Sequence, residues 1–449
     1  MSSAQESLRR DFRGDIIEPG DAGYEDVGRS RLAAGSPAYV LRPRTVEDVQ
    51  AAVRFAVESG LTLSVRGGGH SFAGFGTNDG GIVIDLSPLA GVEVVDPGRH
   101  VVRIGGGAHW GDVAEALTPH GLAISSGDTR SVGVGGLTLS GGIGWKVRKH
   151  GLALDNVVAA ELVLADGSFV TASADEHPDL FWAIRGGGGN FGVVTAFHFV
   201  AHPTTDVFFG KVVFPQSEAV EVLQGWAEYL RTAPEELTSI ANLANPFAGG
   251  PEAPVEIHVA FDGDDAAAAA RAIDPVRRLG TVVADDVALM AYADVLVEGG
   301  SPPPGIEVLA HDGFVDREAV PEVLQILAQV GTSPGAPSIA IRTVGGAVAR
   351  VPSDATAYAH RQADLMVATV TGGPVAVVDA AREGVDAIWG KLAPHLSGAY
   401  ANFLTTADET DVTDVYPKST YERLASVKRR YDADNLFARN HNVRPGQMS

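Results

Sequence analysis

A strand-like segment, Leu61-Thr62-Leu63-Ser64-Val65, runs straight into Arg66-Gly67-Gly68-Gly69-His70-Ser71-Phe72. Consecutive glycines after a strand let successive N–H groups point into one concavity, a nest suited to a pyrophosphate, and the Ser71 hydroxyl adds a donor. His70 stands at its lip. Taken alone, the run also fits a tight strand-ending turn whose histidine hydrogen-bonds backbone. A second passage reads Ser125-Ser126-Gly127-Asp128-Thr129-Arg130-Ser131-Val132-Gly133-Val134-Gly135-Gly136 and continues through Leu139-Ser140-Gly141-Gly142-Ile143-Gly144-Trp145. It has too many glycines for regular structure and too few polar residues for a solvated linker. A buried coil is expected, whose bare backbone can approach a flat ligand closely.

Other motifs fail on context. Gly187-Gly188-Gly189-Asn190-Phe191-Gly192 spells GxGxxG, but a helix precedes it and a strand follows, the reverse of a dinucleotide fingerprint. The pairs Gly210-Lys211 and Gly390-Lys391 are followed by Val212 and Leu392, so no phosphate-binding P-loop is present. Gly69-His70-Ser71-Phe72-Ala73 misses the serine-hydrolase elbow at its last position. His198 and His202 are too far apart on a strand face to share a metal, and no metal site is expected.

The elements that must position these loops follow from periodicity. Val46, Val49, Val53 and Val57 repeat at helical spacing, with Thr45 as N-cap and Gly60 as stop. Strands are expected at 61–65, 81–86, 92–95, 100–104, 157–164, 168–172 and 192–200, with a hairpin turn at Asp166-Gly167, and helices at 111–120 and 179–184. After Pro203 the texture changes to strands at 208–214, 240–245, 255–261, 338–344, 357–363 and 365–370. These alternate with helices at 217–231, 265–279 and 317–330. A final helix is expected at 419–431, before the polar end Asn440 to Pro445.

The chain has 449 residues, 45% of them apolar, enough for two or three domains, and no cysteine. A disulfide framework, a Cys-ligated metal and a thiol nucleophile are therefore excluded. The net charge of −22 repels phosphate backbones and anionic lipid, so neither nucleic acid nor membrane is an expected partner. Lys428-Arg429-Arg430 reads as one face of a helix. The first twenty residues lack the apolar core of a secretory signal, which makes the cytoplasm the expected address.

The two glycine passages, Gly151-Leu152-Ala153-Leu154-Asp155-Asn156-Val157, the run from Asp179 through Val194 and the closing stretch Tyr421–Pro445 together resemble the vanillyl-alcohol-oxidase, or PCMH-type, superfamily of FAD-linked oxidoreductases. Within it the similarity is to the berberine-bridge-enzyme-like and 6-hydroxy-D-nicotine-oxidase-like branch. It covers about residues 37–203 and 400–449. The resemblance implies an α+β fold: a two-part FAD-binding domain of PCMH type (1–203, core 37–203, with 401–449 returning to it) and a substrate domain (204–400) with one antiparallel sheet covered by helices.

It further implies that His70 is joined to the C8 methyl of the flavin. Doubly tethered relatives carry a cysteine where this chain has Thr129, so a single histidyl link is the expectation. Arg66, Gly67, Gly68, Gly69, Ser71 and Phe72 are implied around the pyrophosphate. Gly127, Asp128, Thr129, Val132, Gly133, Gly135, Gly136, Leu137, Ser140, Gly141 and Gly142 are implied along the ribityl chain and ring. Asn156, Gly192 and Val194 belong to the same set, and Asn440 and Asn442 match a closing N-x-N near the ring; a C-terminal turn held by asparagine side chains is the other reading of that pair.

Tyr400 matches a tyrosine that faces the flavin and is the first candidate for the base, with Asn402 as a supporting donor and His360 as a further candidate. Tyr358 and His360 are expected on one strand face and Arg361 on the other, where ordinary cross-strand packing is an equal reading. The implied activity is an oxidase taking a hydride from a C–H next to O or N of a small organic molecule, an alkaloid or amine, a sugar or a secondary metabolite, and passing electrons to O2 to give H2O2. A flavin dehydrogenase with another acceptor, a flavin-binding protein without turnover and a nicotinamide reductase built on Gly187–Gly192 are the alternatives. The oligomeric state is left open.

Overall fold

Thr45 Oγ1 accepts a hydrogen bond from the Asp48 N–H and the Asp48 carboxylate accepts one from the Thr45 N–H, closing a capping box on the helix Val46–Ser59. Gly60, at φ 64°, ends it. The helix buries Val49, Val53 and Phe55 with Leu41, Leu63 and Ile82 of a four-stranded sheet. The computed structural model describes residues 2–446 except 205, 244–252, 299–302, 304 and 332–335. Among the described residues no helix is long and apolar enough to cross a membrane.

That first sheet runs Asp15–Ile17, Tyr39–Arg42, Ile82–Asp85, Leu63–Arg66, with the last three strands parallel. A second sheet of five antiparallel strands follows, in the order Val92–Asp96, Val101–Gly105, Val193–Val200, Val157–Val163, Phe169–Ser173. The expected turn joins its last two strands, with Gly167 at φ 79°. The glycine loop 66–72 leaves the first sheet, and the second glycine passage docks beside the second.

From Asp206 to Pro374 the chain builds an eight-stranded antiparallel sheet ordered Ala284–Asp285, Asp206–Phe214, Val255–Phe261, Leu237–Leu243, Ser338–Thr343, Leu365–Pro374, Ile306–Val315, with Ala288–Ala291 also on Asp206–Phe214. The helices Ala219–Leu230, Ala266–Arg277 and Val320–Gly331 cover one face, burying Trp226, Ile273 and Leu327 against Val212, Ile257 and Ile341. The other face turns toward the glycine passages. Arg148 joins the two halves: its buried guanidinium donates to the carbonyls of Leu230, Ala233, Pro234 and Leu237, around the end of the first of those helices.

Several expectations are corrected. The glycine-rich coil contains a helix, Val134–Ser140, whose Gly135 tucks against Gly106; a β-carbon there would lie 3.0 Å from the Gly106 carbonyl. Residues 357–363 form no strand. Val375–Leu392 is a helix and Ile306–Val315 a strand, neither of which the periodicity revealed. The strand expected to reach Asn245 ends at Leu243 within the described residues; 244 and 245 lie outside them. Lys428, Arg429 and Arg430 lie in the helix Lys418–Tyr431, as expected, and Lys428 is wholly buried.

Candidate active site

The strand Leu63–Arg66 ends where Arg66 pairs with Asp85 across the parallel register, 3.1 Å apart and buried. That pairing spends the guanidinium, whose Nη1 also donates to the Arg29 carbonyl. Gly69 turns the chain at φ 71°, and the Arg31 N–H donates to its carbonyl. Phe75 N–H then donates to Ser71 Oγ, fixing the far side of the loop. His70 is set between these anchors, with Nε2 3.0 Å from Ser131 Oγ. Burial, reinforced by the nearby Arg31 and His109 charges, pushes its pKa down to about 4, so the imidazole is neutral at physiological pH.

Ser131 belongs to the second glycine passage. Trp110 N–H donates to the Val132 carbonyl, Val134 N–H to the Ala108 carbonyl, and Asp128 and Arg130 exchange backbone bonds with Val297. The passage is thereby laid along the loop 66–72. At the crossing, a β-carbon on Gly68 would lie 2.3 Å from the Gly133 nitrogen. Only glycine permits that approach.

Over the passage stands Tyr400. Its hydroxyl accepts from Gly142 N–H at 2.8 Å and from Asn402 Nδ2 at 2.9 Å. Burial raises its pKa, and those two donors pull the other way. Its own N–H donates to Asp312 Oδ1 at 2.5 Å. Asp312, from the strand Ile306–Val315, is fully buried, its Oδ2 has no partner, and burial holds its carboxyl well above the usual range. Arg342 closes the side, 2.6 Å from Asp128 and over the Phe403 ring. Asp312 and Arg342 were invisible to sequence reasoning, because only the strand register places them here.

These elements enclose a cavity of about 320 Å³. It is lined by Arg66 through Phe72, by Gly127, Asp128, Thr129, Val132, Gly133, Gly135, Gly136, Leu137 and Ser140, and by Gly192, Val194, Tyr400, Asn402 and Asn440. Others among the expected residues lie elsewhere. Gly141 and Gly142 sit behind the wall, where Gly141 leaves room for Tyr400 and Tyr358. Asn156 is structural: Nδ2 donates to the His150 and Leu152 carbonyls and Oδ1 accepts from His202. Asn442 is absent from the lining, and its Oδ1 is buried without a partner.

His360 also lies away from the cavity, donating to the Val415 carbonyl and stacked on Phe314. Arg361 makes a bidentate pair with Asp155 at 2.7 and 2.8 Å, a clamp between the two halves. Tyr358 is buried with an unpartnered hydroxyl. Asn190 of the GxGxxG-like run grips the closing segment: its Nδ2 donates to the His441 carbonyl and its Oδ1 accepts from Val443 N–H. Lys428 adds donation to the Asn190 and Phe437 carbonyls. The run thus anchors the segment carrying Asn440, while Gly188 and Gly189 reach the cavity themselves.

FAD fits these residues. A side-chain-free crossing at Gly68 and Gly133 offers backbone to a flat or phosphate-bearing group, and Asn440 Oδ1 is a buried acceptor left open for a donor from outside the protein. The residue types that line the cavity, small and apolar with a few convergent polar groups, suit a cofactor site.

Known proteins agree. Residues 37–173 match the model of the FAD binding domain family, and residues 399–444 that of the berberine and berberine-like family. The chain is 34% identical to (R)-6-hydroxynicotine oxidase of Paenarthrobacter nicotinovorans, over 97% of both chains. It superposes on xylooligosaccharide oxidase of Myceliophthora thermophila in complex with xylobiose with a TM-score of 0.88, 27% identity and full coverage of both. Glucooligosaccharide oxidase of Acremonium strictum, described with a 6-S-cysteinyl, 8α-N1-histidyl FAD, gives 0.84 and 26%, again over both whole chains. On this identity and coverage, the chain belongs to the berberine-bridge-enzyme-like family of FAD-linked oxidoreductases and is an FAD-dependent oxidase.

Proposed function

We propose that the enzyme carries FAD on a single covalent link at His70 and oxidises a C–H bond next to O or N of a small organic molecule at the Tyr400 side of the cavity. FAD, when bound, accepts the hydride and hands the electron pair to O2, which leaves with two protons as H2O2. The observation that carries the reading is the convergence of His70 and Tyr400 on one cavity.

The chain's own residues divide the work. A neutral His70 is a competent nucleophile, and because Nε2 is occupied by Ser131, Nδ1 is the nitrogen offered to the tether. Thr129 stands where a doubly linked relative has cysteine, which limits the chain to one link. Gly142 and Asn402 hold the Tyr400 oxygen with two donated hydrogen bonds, so its third direction is free to exchange a proton with the O–H or N–H of the substrate. Asn402 is the orienting partner. Arg342, paired with Asp128, lies over the Phe403 ring beside Tyr400.

Anaerobic mixing with alcohols, sugars and amines tests this. One of them should bleach the flavin and air should restore it within seconds with H2O2 formed. Bleaching that air does not reverse would point to a dehydrogenase with another acceptor; no bleaching by any of them would favour a flavin-binding protein without turnover.

A further inference from the structure

The backbone around the glycine crossing fixes His70 and Ser131 against each other from both sides. On the His70 side, the Gly69 carbonyl is held by the Arg31 N–H, and a β-carbon on Gly68 would lie 2.8 Å from the Ser131 carbonyl oxygen. On the other side both neighbours of Ser131 are tied down: the Arg130 carbonyl accepts from Gly111 N–H at 2.9 Å and the Val132 carbonyl from Trp110 N–H at 3.0 Å. Arg130 N–H donates in turn to the Val297 carbonyl. Ser131 itself is buried. Its hydroxyl therefore meets the imidazole in a set geometry, with Oγ 3.0 Å from Nε2.

A neutral imidazole carries one N–H and one lone pair, on opposite nitrogens, whereas a hydroxyl both donates and accepts. While Nε2 holds the proton, Ser131 Oγ accepts it and Nδ1 keeps the lone pair. Once Nδ1 bonds to carbon and the ring returns to neutrality, Nε2 has lost that proton and is an acceptor. The same hydroxyl, turned about its C–O bond, then donates to it. Alanine at this position would serve neither state and would leave a ring nitrogen short of a partner. Burial, and after it the Arg31 charge, disfavours a doubly protonated ring, which keeps the lone pair available.

We propose that Ser131 is the positioning residue for attachment of the cofactor to His70: it holds Nε2–H so that Nδ1 is the bonding nitrogen, and it donates to Nε2 once the link exists. In that step the bond from Nδ1 to the C8 methyl carbon forms, one methyl C–H bond breaks and the imidazole N–H proton is lost. The electron pair of the broken C–H bond passes to the flavin and from it to O2, which leaves with the two protons as H2O2. One O2 is consumed per link. The inference rests on the His70 link of the proposed function and concerns assembly of the holoenzyme, whereas Tyr400 and Asn402 serve turnover.

The test follows, from harvest and in air, the acid-precipitable share of the bound flavin in the parent holoenzyme, Ser131→Ala and Ser131→Thr. The alanine variant should bind FAD and link it about tenfold more slowly than the parent. NMR of its flavin-bearing peptide should show substitution at both ring nitrogens, where the parent shows Nδ1 alone. Threonine, which keeps the hydroxyl, should restore the rate and the single isomer. An alanine variant that links at the parental rate through Nδ1 alone would overturn the proposal and leave the His70 link standing. Slow linking through Nδ1 alone, unrepaired by threonine, would make Ser131 a packing residue and overturn it as well. Parent protein whose flavin stays wholly acid-soluble would remove the His70 link, and this inference with it.

Discussion

Gly68 and Gly133 cross backbone to backbone, so tightly that a β-carbon on Gly133 would lie 2.2 Å from the Gly68 nitrogen. The crossing brings His70 beside Ser131 and builds the cofactor wall. Gly68→Ala or Gly133→Ala is expected to cost about 1–3 kcal/mol through overpacking and to cut flavin content severalfold. Thermal melts and the ratio of flavin to protein absorbance measure both effects; a fully yellow, equally stable variant would show that the crossing is not tight.

Tyr400 must lose its proton to act as base, and burial raises its pKa. The activity of the holoenzyme should therefore climb on the alkaline side, with the limb at or above the ordinary tyrosine range. Tyr400→Phe should abolish that limb and lower kcat/KM by about 10²–10⁴-fold while the flavin stays bound. A pH profile unchanged in the variant would acquit the hydroxyl.

Burial shifts the Asp312 carboxyl in the same direction, and there the consequence is for stability. Its folded pKa is raised, so the stability it contributes is present below the carboxyl's ordinary pKa and is lost as pH rises toward the folded value. Asp312→Asn keeps an acceptor for the Tyr400 N–H and has nothing to ionise. Its melting temperature should exceed that of the parent at pH 7.5, with the gap closing toward pH 4. A variant less stable at pH 7.5 would mean that the carboxylate is solvated or paired.

His202 stacks on His150 with ring centroids 3.9 Å apart. Burial, then the charge of His150, pushes its pKa from 6.5 to about 4. The unfolded chain thus binds more protons between those values, and stability should fall as pH drops from 6.5 toward 4. His70 acts in the same direction. In His202→Asn the slope of melting temperature against pH across that window should be shallower; an identical slope would contradict the assignment.

Removing Arg361 leaves Asp155 buried without its bidentate partner, which should cost about 3–5 kcal/mol. Arg361→Met should melt earlier yet, once folded at low temperature, turn over substrate at nearly the parental rate. A selective loss of kcat without loss of stability would instead bring Arg361 into the chemistry.

The sequence made the local part of this site legible. Thr45, Gly60, the strand into Arg66 and the two glycine passages each carry their signal within a few residues. Non-local features stayed hidden. The helix Val134–Ser140 contains two glycines, a weak local signal, and its Gly135 packs against the Gly106 carbonyl, a contact from elsewhere in the chain. The helix Val375–Leu392 buries little beyond Val378, Val385 and Leu392, too thin a stripe to show as a period. The strand Ile306–Val315 is interrupted by His311-Asp312-Gly313, which broke the alternation and hid Asp312. Tyr358, His360 and Arg361 alternate like a strand but are irregular, each set against a different partner: Gly141, the Val415 carbonyl and Asp155.

The most direct test of the whole account is peptide mapping of acid-precipitated holoenzyme. The account expects a yellow pellet whose only flavin-bearing peptide contains His70, and a His70→Ala variant whose pellet is colourless. A yellow supernatant over a colourless wild-type pellet, or flavin on any other peptide, would contradict it.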